Sequence, residues 1–556
     1  MCTAVAGKLV YLMVFKSRHY SEKALEVQER QRKIKAPRGR IFDRNGQIIA
    51  SNKTVCTVSV IYNQIKNPEK VIEILSKELD LSKEEVRKKV IKRSSREKIK
   101  SNISKEIGDK IREYNLEGVK VDEDYKRYYP YSSLASKVLG FTGADNQGIV
   151  GLEVKYDKYL EGIPGLILTP TDSRGIEQDT ALEERVEPIS GNDLITSIDV
   201  NIQQYAEQIA YNALEAKKAN YVCIIVMNPN NGEILAMVNA PEFDLNDPYT
   251  LNYDAGADVT GKKKQDLLNK MWRNQCINDT YEPGSTFKVV TATAALEEGV
   301  VTLDSKFNCP GFRIVDDRKI RCHKTTGHGA ETFLQGTMNS CNPVFIDLGL
   351  RVGPKNFYKY LDKLGLRGKT GIDIPGEAST IIHQLKNVGN VEMATMAFGQ
   401  SFQITPVQYL VAASAVINGG TLITPHFAVK SVNADGEVVE NFKYKEKKNV
   451  VSKKTSETMK YVLEKVISEG TGSKGKVEGY KVGGKTATSQ KLPRGSGKYI
   501  ASFMGFAPAD NPQVIAMAIV DEPEGIYYGG QVAAPLISRL YQNILPYLLE
   551  GKEQGE

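Results

Sequence analysis

EPGSTFK, residues 282–288, runs on into VVTATAALEEG and ends at Gly299; this stretch decides how the 556-residue chain is read. Pro283-Gly284 breaks the chain, and a helix is predicted to start at Ser285 and stop at Gly299, a residue suited to the left-handed position after a helix. Ser285 then sits at a helix N-terminus, where unpaired N–H groups and the helix dipole favour a developing negative charge. Lys288, three residues on, shares its face. A lysine amine buried there has a lowered pKa and can accept the proton of the hydroxyl. Ser285 is a candidate nucleophile and Lys288 its candidate base. Ser-x-x-Lys by itself is weak, since it occurs at Ser95/Lys98, Ser285/Lys288 and Ser473/Lys476. The first and third copies lie in hydrophilic, Lys-rich stretches and read as chance. For the second, the bland alternative is a capping serine beside an unrelated lysine.

Two later motifs decide between these readings. Ser340-Cys341-Asn342 fits Ser-x-Asn 55 residues after Ser285, and Lys485-Thr486-Ala487-Thr488 follows 200 residues after it. Each piece has a task in acyl transfer. Ser340 can relay a proton between Lys288 and a leaving amine, and Asn342 can hold a substrate amide. Lys485 supplies a positive charge, and Thr486 a hydroxyl, for a substrate carboxylate. VGGKTATSQ, residues 482–490, is predicted to be a strand edge along which a peptide lies extended. The backbone N–H groups of Ser285 and Thr488 are the candidate oxyanion hole. The ordered set of S-x-x-K, S-x-N and a K-T-G-like triplet belongs to serine β-lactamases and penicillin-binding proteins.

Over nearly its whole length the chain resembles a class B penicillin-binding protein. In the first half the resemblance rests on RGRIFDRNG (38–46), RYYP (127–130) and GLEVKYDKYLEG (151–162). In the second half it rests on MNPNNGEILAM (227–237), AFGQSFQITPVQ (397–408) and YGGQVAAP (528–535). The resemblance implies an α/β (α+β) protein with the penicilloyl-serine transferase fold: an antiparallel sheet flanked by helices plus a helical subdomain, preceded by an elongated α+β pedestal. It implies a membrane-anchored, extracytoplasmic D,D-transpeptidase that cross-links peptidoglycan stem peptides through an acyl-enzyme on Ser285 and is acylated by β-lactams. Position 487 departs from the family pattern, which has Gly there. Gly lets a ligand approach a strand backbone closely, so the methyl of Ala487 is expected to alter β-lactam selectivity without abolishing activity.

Cysteines and histidines concentrate just ahead of the second motif. Cys309, Cys322, His328 and Cys341 form C-x12-C-x5-H-x12-C, three thiolates and an imidazole, a full tetrahedral set for Zn²⁺. His323 is an alternative ligand, as are the oxygens of Asp316 or Asp317. A Cys309–Cys322 disulfide, expected in an oxidising compartment, and three buried thiols are the rival readings. Cys341 is the middle residue of Ser-x-Asn, so its side chain should point away from the cleft. A zinc held there would brace Ser340 and Asn342 and play a structural part. The S-C-N triplet with this upstream segment resembles the sporulation-specific branch of the family, the stage V sporulation protein D type. Members of that branch often carry a further C-terminal module, which is not among the 556 residues.

Composition bounds the alternatives. Hydrophobic residues make up 41% and charged residues 25%, as in a globular protein, and the length calls for two or three domains. A net charge of +7 is mild, and no Lys/Arg block is interleaved with aromatics, which argues against nucleic acid as a partner. TAVAGKLVYLMVF, residues 3–15, is apolar apart from Lys8 but too short to span a bilayer as a helix. It reads as the remnant of a membrane anchor (residues 1–18), the alternative being an amphipathic start packed on the domain. Residues 19–185 are assigned to the pedestal, with a helical stalk from Tyr20 to Lys35, a hairpin over 36–50 and amphipathic helices over 67–114. A polar linker at 174–190 leads to the transpeptidase domain, residues 186–549, and to a tail, residues 550–556. No glycosyltransferase domain is visible, so a membrane glycosyltransferase is an expected partner. The rival functions are a serine β-lactamase or β-lactam sensor, opposed by the long pedestal, and a non-catalytic scaffold for that glycosyltransferase, opposed by the intact Ser285 and Lys288.

Overall fold

The computed structural model describes residues 11–17, 29–94, 96–170, 184–256 and 259–550. Strand β1 (Glu29–Ile34) pairs antiparallel with Gly165–Pro170. The end of the expected helical stalk is therefore extended, because a partner strand far away in sequence overrides a local propensity; residues 18–28 lie outside the described residues. The hairpin over 36–50 forms between β2 (Ile41–Phe42) and β3 (Ile48–Val60). Its turn is made by Asp43, whose Oδ1 accepts the N–H groups of Asn45 and Gln47, both at 2.8 Å, with Gly46 at φ +82°.

The 67–114 region is helical in three pieces, α1 (Pro68–Leu79), α2 (Lys83–Val90) and α3 (Lys105–Glu113). Asn67, Ser82 and Ser104 cap them, each accepting from a backbone N–H three residues on. A strand, β4 (Glu97–Ser104), interrupts the helices, a departure from the all-helical expectation. It and β5 (Val119–Tyr128) flank β3 as antiparallel neighbours, and Val71, Leu75, Val86 and Ile111 of the helices pack on Cys56, Val58 and Val60 of β3.

Three separated motifs of the pedestal meet at one buried carboxylate. Glu153 is fully buried and accepts Arg38 Nε on Oε2 at 2.6 Å and Arg127 Nε on Oε1 at 2.6 Å. Tyr129 Oη adds a hydrogen bond at 3.2 Å, and Arg38 also pairs with Asp157 at 2.6 Å. RGRIFDRNG, RYYP and GLEVKYDKYLEG thus hold one another through charge that is costly to bury unpaired.

The chain then returns through β6 (Gly165–Pro170) and β7 (Glu184–Val186), which pair with each other, so part of the expected linker is strand; residues 171–183 lie outside the described residues. Strand β8 (Asp193–Thr196) runs parallel to β2. Next come α4 (Val200–Lys217), β9 (Tyr221–Met227), β10 (Ile234–Ala240) and α5 (Lys288–Glu297). Short ribbons follow, β11 (Lys306–Cys309) with β14 (Gly329–Thr332) and β12 (Phe312–Val315) with β13 (Arg318–Arg321). Helices α6 (Asn342–Lys363, broken at Gly353) and α7 (Pro406–Ile417) are separated from α8 (Lys453–Ser468) by the strands β15 (Leu422–Ile423), β16 (Ala428–Val432), β17 (Val438–Asn441) and β18 (Glu446–Lys447). The chain closes with β19 (Gly483–Gln490), β20 (Tyr499–Ala507), β21 (Val514–Asp521) and α9 (Ala534–Glu550).

Five of these strands form an antiparallel sheet in the order β10-β9-β21-β20-β19. Strands β9, β10, β20 and β21 are largely apolar, so both faces of the sheet must be covered. Val222, Ile224 and Val226 face α4 and α9, whereas Cys223, Ile225 and Met227 face the core that holds α5, α6 and α7. Strand β19 is left at the edge. A seven-stranded sheet joins the two halves of the chain, since β8 and β16 extend the pedestal strands β2 and β3. Asp373 adds a second tie, accepting Tyr156 Oη of the pedestal at 2.8 Å and the N–H groups of Phe427 and Ala428.

Among the described residues no helix is long and apolar enough to cross a membrane. The expected anchor lies mostly outside them, as do residues 551–556 of the tail. Replacing Glu153 by Ala would leave the buried Arg127 without its carboxylate and Arg38 with Asp157 alone. It is expected to lower the stability of the pedestal by about 3–5 kcal/mol, read as an earlier midpoint in urea denaturation; an unchanged midpoint would show that the network contributes nothing net.

Candidate active site and metal centre

Ser285 lies in a tight turn. A 3₁₀ turn, Gly284–Phe287, precedes α5, so the predicted helix begins with one narrower turn. Gly284 (φ +56°) donates its N–H to Gly399 O at 2.9 Å. A side chain on Gly399 would run into Gly284 O, which explains the glycine of AFGQ. Tyr409 Oη anchors the same turn by donating to Thr286 O at 2.9 Å.

Lys288 is wholly buried one turn further on, and its Nζ donates to Ser340 O at 2.6 Å, Ser340 Oγ at 3.2 Å and Asn342 Oδ1 at 2.8 Å. Those three acceptors match the three hydrogens of an ammonium. Burial pulls its pKa down to about 8, so the neutral amine is within reach near neutral pH. Lys485 is equally buried and donates to Ser340 Oγ at 2.9 Å and to Thr486 O at 3.0 Å. Its pKa falls well below the usual lysine range, first through burial and then through the charge of Lys288. Ser340 thus stands between two amines, with its lone pairs taken by both and its own proton free for a ligand. Its backbone is in the left-handed region, φ +53°, a strained setting for a non-glycine residue.

Ser285, Ser340, Asn342, Thr486, Ala487 and Thr488 line one cleft of about 850 Å³. Thr488 Oγ1 accepts the Gly529 N–H at 2.9 Å, which fixes that hydroxyl from the YGG segment. The methyl of Ala487 is 3% exposed and points towards Gly284, where a Cβ would stand 3.6 Å away. It thus packs against the turn that carries Ser285 while lining the cleft. Of the other two Ser-x-x-Lys pairs, Ser95 is outside the described residues, while Ser473 lines the cleft through its own turn. Sequence reasoning also missed Lys324, Lys474 and the aromatic side of the cleft, where the rings of Tyr499 and Tyr527 stack 4.0 Å apart. It missed Arg494, which reaches back to Glu282, three residues before Ser285, and belongs to no recognisable motif.

Beneath Ser340 and Asn342, the ligand atoms of Cys309, Cys322, His328 and Cys341 all lie within 4.8 Å of one another, with Cys322 Sγ 3.8 Å from His328 Nδ1. Ligand atoms around a tetrahedral zinc stand about 3.5–3.8 Å apart, so the set fits the ion with small adjustment. All three cysteines are free thiols, which overturns the alternative of a Cys309–Cys322 disulfide. His323 Nδ1 also approaches Cys322 Sγ, at 3.8 Å, but His323, Asp316 and Asp317 stand outside the group. A hydrogen bond from Cys341 holds the Cys322 thiol far below its usual pKa and pushes Cys341 up, so the pair shares a proton that a metal would displace. Glu331 is buried beside them, with Oε1 4.0 Å from His328 Nδ1. Cys341 is fully buried and does not line the cleft.

Comparison with known proteins adds the family. Residues 222–542 match the penicillin binding protein transpeptidase domain, and residues 33–196 match the penicillin-binding protein dimerisation domain. Stage V sporulation protein D of Bacillus subtilis (strain 168) is 41% identical over 520 residues, covering 92% of this chain and 78% of that protein. Peptidoglycan D,D-transpeptidase FtsI of Buchnera aphidicola subsp. Baizongia pistaciae is 30% identical, covering 80% and 74%. The crystal structure of penicillin binding protein 2X from Streptococcus thermophilus superposes with a TM-score of 0.77 at 22% identity, covering 95% of this chain and 82% of that one, a likeness of fold. With a dimerisation domain leading into a transpeptidase domain, the chain belongs to the class B penicillin-binding proteins.

Proposed function

We propose that this chain is a serine D,D-transpeptidase that cross-links peptidoglycan stem peptides and is acylated by β-lactams. The observation that supports it most is the Ser340 hydroxyl bridged by Lys288 and Lys485 within the cleft that Ser285 lines. The terminal carboxylate of a donor peptide is held by the charge of Lys485 and the hydroxyls of Thr486 and Thr488, and Asn342 holds a peptide amide. Neutral Lys288 takes the proton of Ser285 as Oγ attacks the carbonyl of the penultimate D-alanine. The oxyanion is met by the N–H groups of Ser285 and Thr488. Collapse breaks the amide bond, and the departing D-alanine amine receives the proton by way of Ser340. The amine of a neighbouring stem peptide then attacks the ester; the new amide bond forms as the bond to Ser285 Oγ breaks, and the amine's proton passes through the Lys288–Ser340 pair to Ser285 Oγ. A β-lactam follows the first half of this path, and its opened ring stays attached to Ser285.

The same reading assigns a structural Zn²⁺ to Cys309, Cys322, His328 and Cys341, with all four positions filled by protein and no part in the chemistry. The ion would neutralise the thiolates and fix the segment on which Ser340 sits. The wider assignments are an extracytoplasmic catalytic domain on a single-pass anchor, a membrane glycosyltransferase as partner, and a role in the spore wall. They rest on the family resemblance and on the likeness to stage V sporulation protein D.

Intact-mass spectrometry after a penicillin is expected to show one adduct on the parent and none on Ser285→Ala; an adduct on both would place the nucleophile elsewhere, and fast turnover of nitrocefin would favour a β-lactamase. Lys288 must be neutral to act, so acylation is expected to level off above about pH 8 and to fall about tenfold per pH unit below it. A rate constant flat from pH 6 to 9 would remove Lys288 as the base. Metal analysis is expected to give one zinc per chain, lost in Cys322→Ser together with thermal stability; a metal-free parent of full stability would end the zinc assignment.

A further inference from the structure

The cleft around Ser285 is electrostatically one-sided. Among the described residues that line it there are lysines and a histidine, and no Asp or Glu. Lys288 and Lys485 sit at its floor, buried and bonded to Ser340. Lys324 and Lys474 are different. Both line the cleft and are exposed, and no hydrogen bond or ion pair joins either ammonium to another described residue.

Their backbones are held firmly, which a general solubilising charge would not need. Lys324 follows Cys322 of the metal cluster by two residues and starts a turn closed by the Gly327 N–H on its own carbonyl at 3.0 Å. That loop is fastened to the second motif, because Asn342 Nδ2 donates to Arg321 O at 3.1 Å. Lys474 lies in a 3₁₀ turn, Ser473–Gly475, packed so closely on Phe503 that a side chain on Gly475 would stand 2.8 Å from the ring. Its approach is fastened to the same motif, since Thr471 donates both its N–H and its hydroxyl to Met338 O at 3.1 and 3.0 Å. Two unpaired cations are thus carried by two rigid loops tied to the Ser340–Asn342 segment. Cations gathered without counter-charge in a walled cleft raise the local concentration of anions.

We propose that Lys324 and Lys474 form a carboxylate-reading subsite for the acyl-donor peptide. It is separate from the terminal-carboxylate position at Lys485, Thr486 and Thr488, and it takes a second carboxylate carried by a residue upstream of the scissile bond. The inference rests on the transpeptidase reading. It makes the enzyme selective for donors whose upstream residue keeps a free acid over donors in which that acid is an amide. It also ties selectivity to the cluster at Cys322, which positions Lys324.

The test uses two synthetic donors that end in D-alanyl-D-thiolactate and differ only upstream, where one side chain ends in a carboxylate and the other in its carboxamide. Thiol release gives kcat/KM for each, and the ratio of the two is the readout. The parent is expected to prefer the carboxylate donor by about tenfold, each lysine contributing about threefold as a partly exposed charge pair. The ratio should fall about threefold in Lys324→Gln and in Lys474→Gln, and to near one in the double variant. It should also shrink as salt rises from about 0.05 to 0.5 M. Lys453→Gln, at the exposed start of α8, should keep the parent ratio. Equal rates for both donors in the parent, or a parent-like ratio in the double variant, would overturn the subsite. The penicillin adduct on Ser285, measured on the same preparation, separates the two levels: an adduct with equal donor rates sinks the subsite alone, whereas no adduct and no thiol release from either donor sinks the transpeptidase reading.

Discussion

Two lysine amines share one serine hydroxyl, and most of the second half of the chain is arranged so that they can. Lys288 and Lys485 are both removed from water, and two ammonium groups side by side in such a place repel each other and are poorly solvated. Ser340 mediates between them, accepting from both through one oxygen. That requires its backbone to take a left-handed conformation, which turns its carbonyl onto Lys288 as well. The arrangement favours one charged and one neutral amine, since two buried ammonium groups on one hydroxyl repel each other.

A strained residue persists only where its surroundings over-determine it. On one side of Ser340, Gly336 O holds the Cys341 N–H at 2.8 Å, and Cys341 turns its sulfur down into the cluster with Cys309, Cys322 and His328. On another, Thr471 and Arg321 tie neighbouring loops to the same segment. The cluster therefore lies beneath the cleft without lining it. Further out, β19 is left as an edge by the strand order, so an extended peptide can add alongside it. The pedestal is joined to this body through a shared sheet and through Asp373, and is itself gathered around Glu153.

Much of this was legible in the sequence where the signal was local. The hairpin over 36–50, the amphipathic helices within 67–114 and the edge strand VGGKTATSQ each follow from neighbouring residues, whose turn chemistry and alternation act over a few positions. Extended segments that pair across long separations were not legible. Glu29–Ile34 looks helical by composition and is a strand because Gly165–Pro170 lies beside it, and Glu97–Ser104 was absorbed into a helical region for the same reason. Lys324, Lys474, Tyr499 and Arg494 carry no motif, so only proximity in space marks them.

The sequence alone determined the identity and order of the candidate groups: Ser285 with Lys288 at one helical turn, Ser-x-Asn, the Lys485 triplet with its unusual Ala487, and a spacing of Cys and His that suits four ligands. It could do so because spacing along a helix or strand fixes which side chains share a face. Tertiary structure decided the rest. It set Lys288 and Lys485 on the same hydroxyl, kept Cys309 and Cys322 as free thiols beside His328 and Cys341, turned the Ala487 methyl towards the turn that carries Ser285, and left two lysines unpaired at the cleft. Burial and the meeting of segments up to 200 residues apart govern pKa, redox state and electrostatic field, and no local pattern encodes them.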